Sequence, residues 1–278
     1  TRLEKYFAKA YGVPYAIAAN SGTSTLHSIL LAMGCKKGDE VLIPNFTIIS
    51  NALAVIRQQA KPVLIDCNME NWNIKIEDIK KKITKKTKAI IATHIYNFPI
   101  RIDILKKICN KNKIILVEDA AEAVGQKLNG KLCGSFGDIS IFSFYANKQI
   151  TTGEGGMITT NNKRLYEQSR SLRNLCFGKK DRFNHDDIGW NYRMTNLQAS
   201  LGVSQLKRIK SIVQKRHEVG KEYFKRLKDN KNIYMPETSR SYAKNIYWVI
   251  AFVIMNKNLK IDAKKLMKKL MKYGIQTR

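Results

Sequence analysis

Three short stretches of this chain place chemically capable side chains where a strand or a loop gives way to the next element. In SFYANKQITTGEGG (143–156), Lys148 stands between an apolar, aromatic strand and a turn carrying Gly153, Gly155 and Gly156. Lysine is common in this chain and usually reads as a solvated side chain, but here the neighbours on both sides fix its direction. A lysine so held can condense with an aldehyde to give an imine. In ILVEDAAEAVG (115–125), Asp119 closes an apolar run and Glu122 follows three residues later. A carboxylate at a strand's carboxyl end faces a crevice and can hold a protonated ring nitrogen. The alternative is a helix N-cap with Glu122 as its capping-box partner. In NSGTS (20–24), Ser21-Gly22-Thr23 opens an apolar-periodic helix. Free amides and the helix dipole make such a start an anion cradle, although an ordinary N-cap uses the same residues.

Singly these are weak signals. Together, a phosphate cradle, a carboxylate for a ring nitrogen and an amine for an aldehyde match pyridoxal 5'-phosphate. Competing chemistries leave no trace. His27, His94, His185 and His217 are dispersed without metal-ligand spacing, and His27 reads as a packed residue inside a helix. No nucleophile elbow, P-loop or dinucleotide G-x-G-x-x-G occurs.

The elements that must position these residues alternate. A short amphipathic helix (3–10) precedes Gly12, and the helix after Ser21 stops at Gly34. Then come strands at 40–44, 62–66, 88–93, 114–117, 138–145 and 156–160, with helices predicted at 47–57, 76–85 and 101–109. Strands apolar throughout and separated by helices imply a mostly parallel α/β sheet covered on both faces. Ligands in such folds bind beyond the carboxyl ends of the strands. From 196 the pattern becomes one long amphipathic helical stretch, followed by a strand at 246–254 and a helix at 262–272.

The 278-residue chain carries 50 Lys+Arg against 22 Asp+Glu, a formal charge of +28. Such an excess draws anions, but the lysines are spread along the chain. No aromatic-interleaved basic motif of a nucleic-acid module appears, and a compositional bias toward lysine at solvated positions accounts for the charge. Cys35, Cys67, Cys109, Cys133 and Cys176 are odd in number and unpaired in spacing, which suits reduced thiols in the cytoplasm. The longest apolar run, 247–255, is too short to span a bilayer. Neither a membrane nor a nucleic acid is an expected partner.

Five segments then occur in order: SGTSTLH, KGDEVLIPNFT, VEDAAEAVG, GKLCGSFGDISIFSFYANKQITTGEGGM and IGWNYRMTNLQASLG. This series resembles the DegT/StrS-type sugar aminotransferases of the aspartate aminotransferase fold type. Within them it is similar to nucleotide-sugar 4-aminotransferases of the perosamine-synthase kind. The resemblance implies a pyridoxal-phosphate-binding large domain at 1–205, then a linking helix and part of a smaller C-terminal α+β domain at 206–278. It implies that Lys148 bonds to the cofactor aldehyde and that Asp119 pairs with the ring nitrogen. Glu122 would lie near the ring hydroxyl, and Gly22, Thr23 and Ser143 would hold the phosphate. Asn191 would reach the phosphate of a neighbouring subunit, making the enzyme a homodimer with shared sites. The implied donor is glutamate. The implied acceptor is a nucleotide-diphosphate keto-sugar, a 4-keto-6-deoxyhexose giving a perosamine- or viosamine-type product. Arg182 and His185, in DRFNHDDIG, are candidates to contact the diphosphate, or belong to a solvated or interface loop.

Two departures stand out. Ile48 occupies the place where many members stack an aromatic ring on the cofactor, and His94-Ile95-Tyr96-Asn97 replaces an HxYG pattern. Family members also extend beyond both ends of this chain, which is expected to be incompletely represented. The rival readings are a pyridoxal-phosphate-dependent sugar dehydratase, in which histidine replaces the lysine, and a non-enzymatic basic regulator or nucleic-acid binder. Lys148 argues against the first, and the second leaves the Lys148, Asp119 and Asn191 set unexplained.

Overall fold

The computed structural model describes residues 1–178, 181–255 and 261–278. The first helix, α1 (Arg2–Tyr11), is opened by a Thr1–Glu4 capping box and closed by Gly12 in the left-handed conformation. Strand β1 (Tyr15–Ala19) leads into α2 (Gly22–Ala32), whose N-cap is Ser21. Then β2 (Glu40–Pro44), α3 (Ser50–Arg57), β3 (Lys61–Ile65), α4 (Ile76–Lys82), β4 (Thr87–Thr93), α5 (Ile102–Asn112) and β5 (Ile115–Asp119) alternate. After a two-residue-strand hairpin at Lys127–Leu128 and Lys131–Leu132, β6 (Ile139–Ser143) and β7 (Gly156–Thr160) complete one seven-stranded sheet in the order β1-β7-β6-β5-β4-β2-β3. From β3 to β6 the neighbours are parallel, while β7 runs antiparallel to both β6 and β1.

Successive side chains of the central strands enter opposite layers, as the period of two requires. Val41, Ile43, Ala89, Ile91 and Val117 join Leu26, Ile29 and Leu30 of α2 in one core. Their alternates Leu42, Ile90, Ala92 and Leu116 pack with Ile102, Leu105 and Cys109 of α5 in another. The near-continuous apolar character of the strands is therefore the signature of a sheet buried on both faces. All five cysteines are free, and burial pushes the Cys35 and Cys109 thiols up to about 11 and about 12.

The parallel register brings three strand ends to one side of the sheet, with Ser143 two residues beyond the level of the other two. Thr93 pairs with Asp119, and Asp119 with Ile141, so Thr93, Asp119 and Ser143 emerge at one end of the sheet.

The structure corrects several details of the sequence reading. Strand β1 and the helix α6 (Lys163–Arg173) have no counterpart in it. The long helical stretch is two helices, α7 (Asn196–Lys207) and α8 (Ile209–Leu227), broken at Arg208. The strand expected at 246–254 shrinks to Val253–Ile254. Tyr247 breaks it: its φ is +53°, and its N–H turns back to the Asn245 Oδ1 at 2.6 Å. The last helix, α9 (Ala263–Lys272), is as predicted. Among the described residues no helix is long and apolar enough to cross a membrane.

Candidate active site

Lys148 lies in the loop that turns β6 into β7. The loop is pinned at its base, where the Thr152 N–H donates to the Phe144 carbonyl at 3.0 Å and the Phe144 N–H to the Gly155 carbonyl at 2.8 Å. Two glycines make the turn possible. Gly153 takes φ +80°, a region costly for other residues, and a Cβ on Gly156 would sit 2.5 Å from the Ser21 carbonyl oxygen. The second contact presses the start of β7 against the N-terminus of α2. Thus one turn both aims the lysine and closes the anion cradle.

The lysine is half-buried. Burial lowers its amine below the usual lysine range, opposed by the negative Glu122 and Asp119 nearby. The next residue holds the loop onto this acidic neighbourhood, since the Gln149 Nε2 donates to the Glu122 carbonyl.

Asp119, the last residue of β5, is 1% exposed. Its Oδ2 accepts from Asn51 Nδ2 at 3.2 Å and Thr93 Oγ1 at 3.1 Å, and its Oδ1 from the Ala121 N–H at 3.1 Å. Turns follow Asp119, so the helix that a capping box would need is not there. Glu122 instead accepts the Tyr96 N–H at 2.7 Å, and burial raises its carboxyl to about 7 against the pull of Lys148. Tyr96 adopts φ +48°, a strained conformation for a non-glycine residue, in making that bond.

At the cradle, Ser21 and Ser24 form a reciprocal cap that leaves the amides of Gly22 and Thr23 at the helix end. A Cβ on Gly22 would stand 3.0 Å from the Ser143 Cβ and 3.4 Å from its Oγ, so cradle and strand-end hydroxyl form one wall. The Thr23 Oγ1 meets the Ser50 hydroxyl at 3.1 Å. Asn191 has an exposed side chain. Its carbonyl accepts from Asn20 Nδ2 at 3.5 Å, and the Asn20 N–H donates to the Tyr192 carbonyl at 2.9 Å, which lays this segment beside the cradle.

Arg182 and His185 sit in their own loop. Arg182 packs over Phe177 and Phe183, and His185 stacks on Phe177 and meets the Leu175 carbonyl at 2.7 Å. Both are exposed. The structure thus joins Lys148, Asp119, Glu122, Gly22, Thr23 and Ser143 around one strand end, with Asn191 at its rim, and ties Arg182 and His185 to a separate loop.

An aromatic wall escaped the sequence reading. The rings of Phe46, Trp72, Tyr96 and Trp248 follow one another at centroid distances of 5.7–6.3 Å, and Trp248 ends over Lys148. Ile48, two residues from Phe46, is 57% exposed. Asn51 and Thr93, which hold Asp119, were also missed. The text around them carries no motif of its own, and the contacts that join them to each other and to Asp119 span 26 to 68 residues.

His94, Glu118 and Cys133 bring possible metal-ligand atoms within 4.8 Å of one another. The Glu118 oxygens, however, accept from His94 Nε2, the Gly134, Phe136 and Gly137 amides and the Ser140 hydroxyl. His94 Nδ1 in turn accepts from the Ile100 N–H at 3.2 Å. The cluster is a hydrogen-bonded staple between β4, β5 and the loop before β6, its lone pairs already used.

The residues present fit pyridoxal phosphate. A phosphate would meet the Gly22 and Thr23 amides and the Ser143 hydroxyl, where a Cβ on Gly22 would intrude. The buried Asp119 would face the ring nitrogen, and Lys148 has its amine in a desolvated, acid-flanked position. This fold carrying this site is that of a pyridoxal-phosphate-dependent aminotransferase.

Comparison with known proteins agrees. The DegT/DnrJ/EryC1/StrS aminotransferase family matches residues 1–278. A GDP-perosamine synthase of Escherichia coli O157:H7 is 37% identical over 252 residues, covering 91% of this chain and 68% of that protein. Helicobacter pylori PseC, an aminotransferase involved in the biosynthesis of pseudoaminic acid, superposes with a TM-score of 0.91 at 28% identity, over 99% of this chain and 74% of that one. An E. coli GDP-4-keto-6-deoxy-D-mannose-3-dehydratase with bound hydrated PLP superposes with a TM-score of 0.91 at 25% identity, over 100% of this chain and 76% of that one. The chain belongs to the DegT/DnrJ/EryC1/StrS aminotransferase family.

Proposed function

We propose that the chain moves the amino group of glutamate to a nucleotide-diphosphate-linked 4-keto-6-deoxyhexose, giving a perosamine- or viosamine-type sugar. The observation that carries amino transfer, rather than dehydration, is the amine at position 148 beside Asp119 and Glu122. The likeness to a GDP-perosamine synthase supports the sugar class.

When bound, pyridoxal phosphate supplies an electron sink for cleavage of the bond from the amino-acid α carbon to hydrogen. The chain supplies the rest. The Gly22 and Thr23 amides and the Ser143 hydroxyl bind the phosphate, and Asp119 holds the ring nitrogen and its proton. Lys148 Nζ, its basicity lowered by burial, would take the proton from the amino-acid α carbon and deliver it to the C4′ carbon of the bound cofactor, and would carry a proton the opposite way when the sugar is aminated. Such positioned proton transfer contributes roughly 10²–10⁴-fold. Glu122 faces the ring hydroxyl. Asn191 reaches into the site of a second copy, so the working unit is a cytoplasmic homodimer. Residues 1–205 form the cofactor-binding unit and 206–278 the linking helix with part of a smaller one. Arg182 and His185 meet the sugar's diphosphate.

The test is incubation with glutamate, pyridoxal phosphate and a panel of nucleotide-linked 4-ketosugars, followed by mass spectrometry. An amino sugar formed together with 2-oxoglutarate is expected. A deoxygenated sugar, or no product from any ketosugar, would overturn the proposal.

A further inference from the structure

We infer that Asn51 and Thr93 are positioning residues that aim the Asp119 carboxylate, and that the Asn51 side chain is kept polar for this purpose. The inference rests on the reading of Asp119 as the partner of the cofactor ring.

Asn51 is the second residue of α3 and is 0% exposed. Its Nδ2 lies 3.1 Å from Thr47 Oγ1, 3.0 Å from Thr93 Oγ1 and 3.2 Å from Asp119 Oδ2. Its Oδ1 is buried without a partner. Flipping the amide would press that oxygen against a carboxylate and two hydroxyl oxygens, so the orientation is fixed. Thr93, 2% exposed, donates its single hydroxyl proton to Asp119 Oδ2 at 3.1 Å and therefore accepts from its other neighbours. Thr47 Oγ1 is one of them, at 3.3 Å. Every proton of the network thus runs one way, from Thr47 and Asn51 through Thr93 to Asp119. Two donors from different elements converge on one oxygen, while the Ala121 amide takes the other.

An unpaired carbonyl oxygen inside a core is a cost to stability, and it offsets part of what the amide's contacts to Thr47, Thr93 and Asp119 contribute. What the amide gains is control over a charged acceptor. Groups that orient a reactive residue in this way commonly change affinity or rate about 10-fold or more when removed.

The experiment compares wild type with Thr93→Val, Thr93→Ser and Asn51→Leu. The readouts are the dissociation constant of pyridoxal phosphate from the cofactor-free protein, the pH midpoint of the visible absorbance band of the loaded protein, and the melting temperature of the cofactor-free form. Thr93→Val and Asn51→Leu are expected to weaken retention about 10-fold or more and to displace the pH midpoint. Thr93→Ser should restore both toward wild type, and the melting temperature of each cofactor-free variant separates lost aim from lost fold. Two results would overturn the inference: Thr93→Val with wild-type affinity and midpoint, or Thr93→Ser as impaired as Thr93→Val. If wild type itself develops no visible band with pyridoxal phosphate, the cofactor reading fails, and this inference with it.

Discussion

The Nζ of Lys148 lies 3.5 Å from the centre of the Trp248 ring, and the Trp248 indole N–H donates to the Asn147 carbonyl at 2.9 Å. The ring is thereby anchored to the residue preceding the lysine and lies over the amine it covers. Through Tyr96 it also connects to Phe46 and Trp72, so the lysine ends an aromatic wall.

The ring contact favours the charged amine and so does not itself speed proton removal; its use in turnover is to fix where Nζ stands. Misplacing a reacting group by about 1 Å costs up to about 10²-fold, so Trp248→Leu is expected to lower kcat/KM for glutamate, and Trp248→Phe to recover most of it. Steady-state kinetics decides. A Trp248→Leu enzyme with the wild-type constant would leave the indole no part in presenting the lysine.

Glu122 makes the cofactor-free protein pH-sensitive in a defined direction. Its carboxyl rises from an ordinary 4.5 to about 7 on burial. Folding therefore favours the protonated form. This contribution to stability is complete below pH 4.5 and is lost as the pH climbs through about 7. The loss is on the order of 3 kcal/mol. Glu122→Gln cannot ionise, so its stability advantage over wild type should be small at pH 5 and grow up to about pH 8. Thermal melts of both cofactor-free proteins across that range check this, and parallel curves would refute it.

Much of this arrangement was legible in the chain itself. Lys148, Asp119, Gly22, Thr23 and Ser143 could be placed together because each borders an uninterrupted apolar strand or opens a periodic helix, and parallel strands put their carboxyl ends on one side. The missed features depend on contacts distant in sequence. Nothing local to Asn51 indicates that α3 aims it at Asp119, 68 residues on. The strand expected at 246–254 had the right apolar content. What removed it was tertiary: a Cβ on Gly220 of α8 would lie 2.2 Å from the Tyr247 ring, and this close packing accompanies the positive φ of that tyrosine. The capping-box reading of Asp119 and Glu122 failed for a related reason. Both carboxylates have partners elsewhere, the Tyr96 amide for one and Asn51 with Thr93 for the other.

Glu118 governs the frame beneath the site. Burial pushes its carboxyl up, but the His94 contact and the Gly134 and Gly137 amides outweigh this and hold it below the ordinary value. Glu118→Ala leaves those donors unpaired in the core and is expected to cost about 3 kcal/mol or more, because each buried donor left without a partner costs about 1–3 kcal/mol. Urea unfolding of the cofactor-free protein measures it. A change within about 0.5 kcal/mol, the size of a surface substitution, would contradict the staple role.

The most direct test of the whole account is borohydride reduction of the protein loaded with pyridoxal phosphate, followed by peptide mapping. The account predicts one stable phosphopyridoxyl adduct, on Lys148, and none in Lys148→Ala. An adduct on a different lysine, or loaded protein that yields no adduct, would contradict it.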